Sequence, residues 1–313
     1  MNELRKDYML DRWVIISVGR ENRPRQFKKE EVVKEDSICY FCPKNEAMTP
    51  PEIGRIGDKN SWKQRWFPNK FPAVQPEGAF QKGKKEFLEK MNAFGYHEVL
   101  VETPDHSKQM WDLPKEEIAV VLKVYADRIK ELSKKKDVKY VFIFKNHGRE
   151  AGTSLIHSHT QIVTHPVMHT SIIEELKAVK KFKKCPYCKV VKDEAKSPRF
   201  VFENQNFIAI CPYASRFNYE AWIFPKKHIK NIGQLDDKQF LDFAEALQKI
   251  LLKLKEMGAS YNYFLHYSPE KENLHFHLEI TPRIATWAGF EIGTGTIINS
   301  VSPESAAEFY RGK

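Results

Sequence analysis

The sequence predicts an α+β fold built from two similar halves, each with a long helix packed on an antiparallel sheet. The first observation is helical periodicity, because apolar residues recur at helical spacing over residues 114–135 and again over 235–257. The second is a repeated order of elements: Cys-x-x-Cys, a strand that ends in His, the long helix, a strand and a His-x-His strand. Such a repeat indicates an internal duplication.

The elements of each half can be assigned in chain order. The first half contains Cys39 and Cys42, a strand ending at His106, the helix at 114–135, a strand-like run at 140–144 and the strand His157-Ser158-His159. The second half contains Cys185 and Cys188, a strand ending at His228, the helix at 235–257, a strand-like run at 261–265 and the strand His275-Phe276-His277. A Lys-rich, helical stretch at 166–184 lies between them. We therefore expect an N-terminal domain over residues 1–170 and a C-terminal domain over residues 171–313.

The composition is that of a globular protein, with 42% hydrophobic residues and no apolar run of membrane-spanning length. The net charge of +10 suits an anionic ligand or nucleic acid. The excess lies largely in lysine patches without interleaved aromatic residues, which are typical of solvated surfaces, so nucleic-acid binding is not expected. The first seven residues contain no apolar signal core, and we expect a cytoplasmic location.

Two Cys-x-x-Cys pairs, each followed by matching histidines, predict two metal sites. A structural Zn²⁺ prefers four nitrogen or sulfur ligands in a tetrahedron. The predicted ligands in the first half are Cys39, Cys42, His106 and His157; those in the second half are Cys185, Cys188, His228 and His275. Because the ligands are far apart in sequence, each metal would hold a loop against the sheet.

The second metal site leaves several alternatives open. His277 could bind the metal instead of His275 or together with it, the metal could differ from zinc, and Glu279 could bind a metal or a proton. Cys185-Pro186-Tyr187-Cys188 also has the letters of a redox motif, although such a motif should follow a strand directly and open a helix. The fifth cysteine, Cys211, lies in an apolar stretch, and we expect a buried free thiol.

The segment before and within the first His-x-His strand predicts a site for an anion and a nucleophile. On an extended strand His157, His159 and Gln161 form one polar row, because alternate side chains point to the same face. The preceding Gly152-Thr153-Ser154 offers backbone N–H groups and a hydroxyl to an anion. The alternative is a solvated strand edge that is rich in histidine.

The motifs together resemble those of galactose-1-phosphate uridylyltransferases, which belong to the histidine-triad superfamily. The resemblance rests on segments spread along nearly the whole chain: Arg20-x-x-Arg23-Pro24, Cys39 to Glu46, Thr103 to His106, Asn146 to Gly148, His157 to Gln161 and Gly289-Phe290-Glu291. It implies two histidine-triad-like halves and a homodimer with active sites shared between subunits. It also implies a double displacement, in which a nucleotidyl group passes from a nucleotide sugar to the enzyme and then to a second phosphate.

The resemblance also implies the roles of individual residues. His159 would attack the α-phosphorus, and Gln161 would donate to a non-bridging phosphate oxygen. Ser154 and the backbone of Gly152 and Thr153 would hold the neighbouring phosphate. Arg20 and Arg23 would lie near the phosphates, Asn146 would contact the nucleotide, and His157 would remain a zinc ligand. Because Glu279 stands where Gln161 stands in the first copy, only the first half is expected to carry out transfer.

Three departures from the main family pattern leave the substrate open. Ser158 and Thr160 replace the Pro and Gly of that pattern, and Ala285 stands near the position of a family Lys. With a Ser between its histidines, the chain looks more like the branch that includes plant ADP-glucose phosphorylase. The leading hypothesis is transfer of UMP between hexose 1-phosphates, and the alternative is an ADP-glucose phosphorylase that uses inorganic phosphate. Less expected are a nucleotide hydrolase and a zinc-stabilised nucleic-acid-binding protein without catalysis.

Overall fold

The structure, a computed structural model, describes residues 2–18, 38–58, 61–78, 81–269 and 272–312. The strands in this part of the chain are β1 Glu3–Lys6, β2 Trp13–Ile16, β3 Gly54–Asp58, β4 Ser61–Pro68, β5 Lys82–Lys85, β6 Leu88–Met91, β7 His97–Val101, β8 Tyr140–His147, β9 His159–His165, β10 Phe200–Glu203, β11 Phe207–Ile210, β12 Ala221–Pro225, β13 Tyr261–His266, β14 His277–Pro282 and β15 Ile297–Asn299. The helices are α1 Lys115–Leu132, α2 Thr170–Val179, α3 Pro186–Glu194, α4 Asp237–Met257, α5 Gly289–Thr294 and α6 Pro303–Arg311.

Strands from both halves form one continuous sheet, which confirms the predicted α+β class. Among the described residues its strand order is β10-β11-β12-β14-β13-β8-β9-β7-β4-β3, and every pairing is antiparallel. The halves join where β13 pairs with β8, with Asn262 opposite Asn146 and Phe264 opposite Phe144. The sheet is therefore unbroken across the boundary expected near residue 170.

The two predicted long helices are present and pack against each other on one side of the sheet. Helix α1 lies within the predicted 114–135, and α4 within 235–257. Helix α4 starts at a capping box formed by Asp236 and Gln239 and ends at Gly258, whose φ of 64° is the left-handed conformation that glycine adopts most easily. The buried faces of both helices belong to one hydrophobic core that spans the two halves.

The His-x-His strands start later than predicted. Strand β9 begins at His159 and β14 begins at His277, so His157 and His275 precede their strands. The physical reason is that each of these two rings lies beside a cysteine pair and donates its Nε2–H to a backbone carbonyl of another segment, Thr103 or Pro225. The predicted polar row along the strand therefore starts with His159.

Smaller elements surround the main sheet. Strands β1, β2 and β15 form a separate sheet in which β2 and β15 run parallel, and this ties the two ends of the chain together. The hairpin β5–β6 stands apart from both sheets. Cys211 is fully buried and free, as predicted. Among the described residues, no helix combines the length and the apolar character needed to cross a membrane.

Candidate active site

The four predicted ligands of the first half lie together at one end of the sheet. Cys42 Sγ is 3.4 Å from His106 Nδ1 and 3.6 Å from His157 Nδ1, and Cys39 Sγ is 3.5 Å from His157 Nδ1. Sulfur and nitrogen ligands of a tetrahedral zinc ion lie about 3.5 Å apart. His157 donates its Nε2–H to the Thr103 carbonyl at 2.7 Å, which leaves Nδ1 unprotonated toward the cysteines.

The second half repeats this geometry with its own four residues. Cys188 Sγ is 3.5 Å from both His228 Nδ1 and His275 Nδ1, and Cys185 Sγ is 4.0 Å from His275 Nδ1. His275 Nε2 donates to the Pro225 carbonyl at 2.9 Å, as His157 does to Thr103. The structure therefore places His275 beside the cysteines. The cysteine pair lies at the start of α3, as it would in a redox motif. The element before it, however, is helix α2, whereas a redox motif directly follows a strand.

His277 belongs to a different group, which sequence reasoning found only in part. Glu175, His266, His277 and Glu279 offer ligand atoms that all lie within 4.8 Å of one another. His266 Nδ1 is 2.8 Å from Glu175 Oε1, and the buried atoms Glu175 Oε2 and His277 Nε2 have no hydrogen-bond partner within the described part of the chain. Glu175 and His266 are 91 residues apart, and no spacing in the sequence pointed to them.

His159 has the geometry of a prepared nucleophile. It lies at the start of β9 with 7% of its surface exposed, and its ring contacts that of Phe41. Nδ1 is 2.8 Å from the His157 carbonyl, to which it donates, so the Nε2 lone pair is free. Burial, helped by the positive charge of Lys145, lowers the His159 pKa to about 4, and the ring is therefore neutral at physiological pH.

A buried charged network, which sequence reasoning missed, lies beneath the start of β9. Lys145 Nζ donates to Glu102 at 2.6 Å and to the His159 carbonyl at 3.0 Å. Ser158 and Thr160 each donate to Glu102 at 2.5 Å. Despite burial, which opposes ionisation, Lys145 and the two hydroxyls hold the Glu102 pKa below its ordinary value. The network joins the ends of β7, β8 and β9 around the backbone of His159.

Gln161 lies two residues beyond His159 on β9 and contacts a second residue that sequence reasoning missed. Its Oε1 is 2.9 Å from Nε2 of His97, the first residue of β7. Strands β7 and β9 pair with Val99 opposite Gln161 and His97 opposite Val163, so the two polar side chains lie on the same face. His97 is buried and Gln161 is half-buried.

The loop between β8 and β9 carries the remaining predicted contacts. Asn146 Oδ1 accepts a hydrogen bond from Asn262 at 2.8 Å, and Asn262 also donates to the Ala151 carbonyl. Gly152 is exposed in a left-handed conformation, with φ of 82°, and Ser154 is also exposed. Thr153 is half-buried; its N–H donates to the Gly148 carbonyl at 3.3 Å, and its hydroxyl donates to the Leu155 carbonyl, also at 3.3 Å.

Arg20 and Arg23 lie outside the described residues. Their predicted place near the phosphates therefore stays a prediction. Ala285, which stands near the position of the family Lys, is half-buried and lies shortly before α5.

Known proteins are similar to this chain along nearly its whole length. The model of the galactose-1-phosphate uridyl transferase N-terminal domain matches residues 1–168, and that of a domain of unknown function (DUF4921) matches residues 96–309. An ADP-glucose phosphorylase of Arabidopsis thaliana is 35% identical, over 99% of this chain and 92% of the relative. A galactose-1-phosphate uridylyltransferase of Thermotoga maritima is 31% identical, over 99% of this chain and 98% of the relative.

The solved structures that resemble this chain include an ADP-glucose phosphorylase and a uridylyltransferase. The crystal structure of an ADP-glucose phosphorylase from Arabidopsis thaliana with bound ADP-glucose superimposes with a TM-score of 0.87 and 31% identity, covering 100% of this chain and 99% of that chain. The structure of a uridylyltransferase superimposes with a TM-score of 0.78 and 28% identity, covering 100% and 98%. Both similarities include all segments that carry the predicted site.

Proposed function

Because the chain belongs to the galactose-1-phosphate uridylyltransferase family, we propose that it is a nucleotidyltransferase that acts on a nucleotide sugar through a nucleotidyl-His159 intermediate. The observation that carries the proposal is the state of His159. Its ring is buried and neutral, with Nδ1 held by a carbonyl and Nε2 free. A histidine in this state can attack phosphorus and later leave, so that one difficult transfer becomes two easier ones.

The reaction proceeds in two displacements. His159 Nε2 forms a bond to the α-phosphorus while the bond from that phosphorus to the bridging oxygen breaks, and the sugar 1-phosphate leaves with the bond's electron pair. A phosphate oxygen of the acceptor then attacks the same phosphorus, and His159 regains its lone pair. The His157 carbonyl, which accepts from Nδ1–H at 2.8 Å, stabilises the positive charge on the ring between the two steps.

Other residues bind and orient the phosphates in this proposal. Gln161 donates to a non-bridging oxygen of the α-phosphate, where negative charge builds up. Gly152, Thr153 and Ser154 hold the neighbouring phosphate, and Asn146 contacts the nucleotide. Arg20 and Arg23 supply permanent positive charge near the phosphates.

Zinc is the metal that best fits both Cys₂His₂ groups, and its role in this proposal is to stabilise the structure. It would be held by Cys39, Cys42, His106 and His157 in the first half, and by Cys185, Cys188, His228 and His275 in the second, where another metal could replace it. A closed set of four protein ligands leaves no position for substrate. The chemical work therefore falls to His159 and its neighbours.

The leading substrate assignment is transfer of UMP from UDP-glucose to a hexose 1-phosphate such as galactose 1-phosphate, which places the protein in galactose metabolism. Several curated galactose-1-phosphate uridylyltransferases that align along most of the chain support it. We further propose that the enzyme works as a cytoplasmic homodimer, with histidine-triad-like domains at 1–170 and 171–313.

The alternative is an ADP-glucose phosphorylase that uses inorganic phosphate as acceptor. Two observations favour it: the Arabidopsis enzyme of that name is 35% identical, and Ser158, between the two histidines, departs from the main family pattern toward the branch that includes that enzyme. The two assignments share the first displacement and differ in the base and the acceptor.

A product assay separates these assignments. The protein is incubated with UDP-glucose plus galactose 1-phosphate, with ADP-glucose plus inorganic phosphate, and with each nucleotide sugar alone. UDP-galactose as product supports the leading assignment, ADP supports the alternative, and nucleoside monophosphate formed without acceptor indicates a hydrolase. His159→Asn should be inactive in every assay, whereas the matched control His165→Asn, on the same strand, should be active. No turnover of either nucleotide sugar would contradict the proposal.

A further inference from the structure

The contact between His97 and Gln161 has a consequence for catalysis. We infer that His97 is a positioning residue that fixes the orientation of the Gln161 side-chain amide, so that its NH₂ group faces the transferred phosphate. This inference rests on the proposed role of Gln161 as a donor to that phosphate. The role of His97 follows from the chemistry of its own neighbours.

His97 is neutral and carries its proton on Nε2. The backbone N–H of Ala73 donates to Nδ1 at 3.0 Å, so Nδ1 carries a lone pair and no proton. Burial lowers the pKa of this histidine, and the ring is neutral at physiological pH. A neutral imidazole with an unprotonated Nδ1 has its proton on Nε2. The backbone of the segment after β4 thus selects one tautomer.

The acceptor of that proton is the side-chain oxygen of Gln161. Two side-chain atoms lie close to Nε2: Gln161 Oε1 at 2.9 Å and Asn69 Nδ2 at 3.1 Å. Asn69 Oδ1 accepts from the Phe71 N–H at 2.9 Å, which identifies the other Asn69 atom as its amino nitrogen, a donor. Nε2–H therefore donates to Gln161 Oε1. A flipped Gln161 amide would leave Nε2–H without an acceptor, because the neighbouring Asn69 atom is itself a donor.

The amino group of Gln161 is available to the transferred phosphate. Because His97 binds the side-chain oxygen of Gln161, the Gln161 Nε2 points away from His97. This nitrogen makes no hydrogen bond to any residue that the structure describes. A non-bridging phosphate oxygen needs a donor as charge builds up, whereas an amide oxygen at that position would repel it. His97 thus keeps the amide from presenting its oxygen to the phosphate. The second half has no equivalent, because Glu279 replaces Gln161 and can only accept when ionised.

Two substitutions of similar chemistry separate this role from a merely structural one. Glutamine reaches the position of the imidazole Nε2 and can donate to Gln161. Asparagine matches the position of Nδ1, where its oxygen can accept from Ala73, but it is too short to reach Gln161. We expect His97→Asn to slow the first-order labelling of the protein by nucleotide sugar about tenfold, the size of one lost neutral hydrogen bond in the transition state. His97→Gln should retain most of the wild-type rate.

The decisive readout is the dependence on Gln161. The rate of labelling by UDP-glucose or ADP-glucose, whichever labels the wild type, is measured for His97→Asn, Gln161→Ala and the double variant. If His97 acts through Gln161, His97→Asn causes no further loss of rate in the Gln161→Ala background. An equal loss in both backgrounds, or a wild-type rate in His97→Asn, would overturn the inference. Failure of the wild type to label would instead overturn the proposed function. Thermal unfolding of each variant shows whether a loss of rate comes from a loss of fold.

Discussion

At the residue scale, the protonation of His159 determines the pH range of the first displacement. The His159 pKa lies at about 4 because the ring is buried beside Lys145. Only the neutral ring attacks phosphorus, so activity is lost as the pH falls through this value. An exposed histidine, with a pKa near 6.5, would lose about tenfold between pH 7.5 and 5.5. We expect the labelling rate to be nearly constant over that range in rapid-quench measurements, and an acid limb centred near pH 6.5 would contradict this.

Also at this scale, the buried pair of Glu102 and Lys145 should be far more important for stability than a surface ion pair. Both side chains are at least 99% buried, and their charged atoms are 2.6 Å apart. Replacing one partner, as in Glu102→Gln or Lys145→Met, leaves the other group buried without its counter-charge and should cost about 3–5 kcal/mol of unfolding free energy. The double variant should lose less than the sum of the two. Urea denaturation measures all three, and small additive losses would disprove the coupling.

The sequence predicted some of these residues and not others, for a physical reason. His159 and Gln161 stand two positions apart on one strand, so strand periodicity relates them directly. Glu102 and Lys145 are separated by 43 residues and His97 and Gln161 by 64. Their contacts depend on which strands pair and in which register, and neither follows from local pattern.

At the scale of elements, the two cysteine groups connect loops to the ends of strands. Cys39 and Cys42 lie in a turn, His106 follows β7, and His157 immediately precedes β9. The first group therefore lies at the entry to β9, the strand that carries the proposed nucleophile, whereas the second group lies in the half for which we propose no nucleophile. The sequence predicted both groups from the Cys-x-x-Cys pairs and their matching histidines, and the fold places His275 beside the second cysteine pair.

This asymmetry predicts different outcomes for two matched substitutions. Wild-type protein should contain about two zinc ions per chain, and Cys39→Ser and Cys185→Ser should each lose about one, as measured by metal analysis. Cys39→Ser should also lose most labelling by nucleotide sugar, because His157 and the start of β9 are no longer held. Cys185→Ser should retain labelling when folded. Equal loss of labelling in both variants would show that the groups do not differ in this way.

At the scale of the whole molecule, the duplication produces one continuous structure. The pairing of β8 with β13 and the shared core make the halves interdependent. We expect a single unfolding transition, with tryptophan fluorescence and circular dichroism giving the same midpoint. Two separated transitions would show that the halves unfold independently. The sequence predicted the two halves and their helices. It did not predict that the halves join through β8 and β13, because this pairing depends on the order of strands in the sheet.

We propose that the nucleotidyl group resides on His159 between the two displacements. The most direct measurement uses UDP-glucose or ADP-glucose labelled at the α-phosphorus, without acceptor, followed by digestion under alkaline conditions and mass spectrometry of the peptides. We expect label on the peptide that contains His159. The acceptor should discharge this label, and His159→Asn should not acquire it. Label on another residue, or equal labelling of His159→Asn, would contradict the proposal.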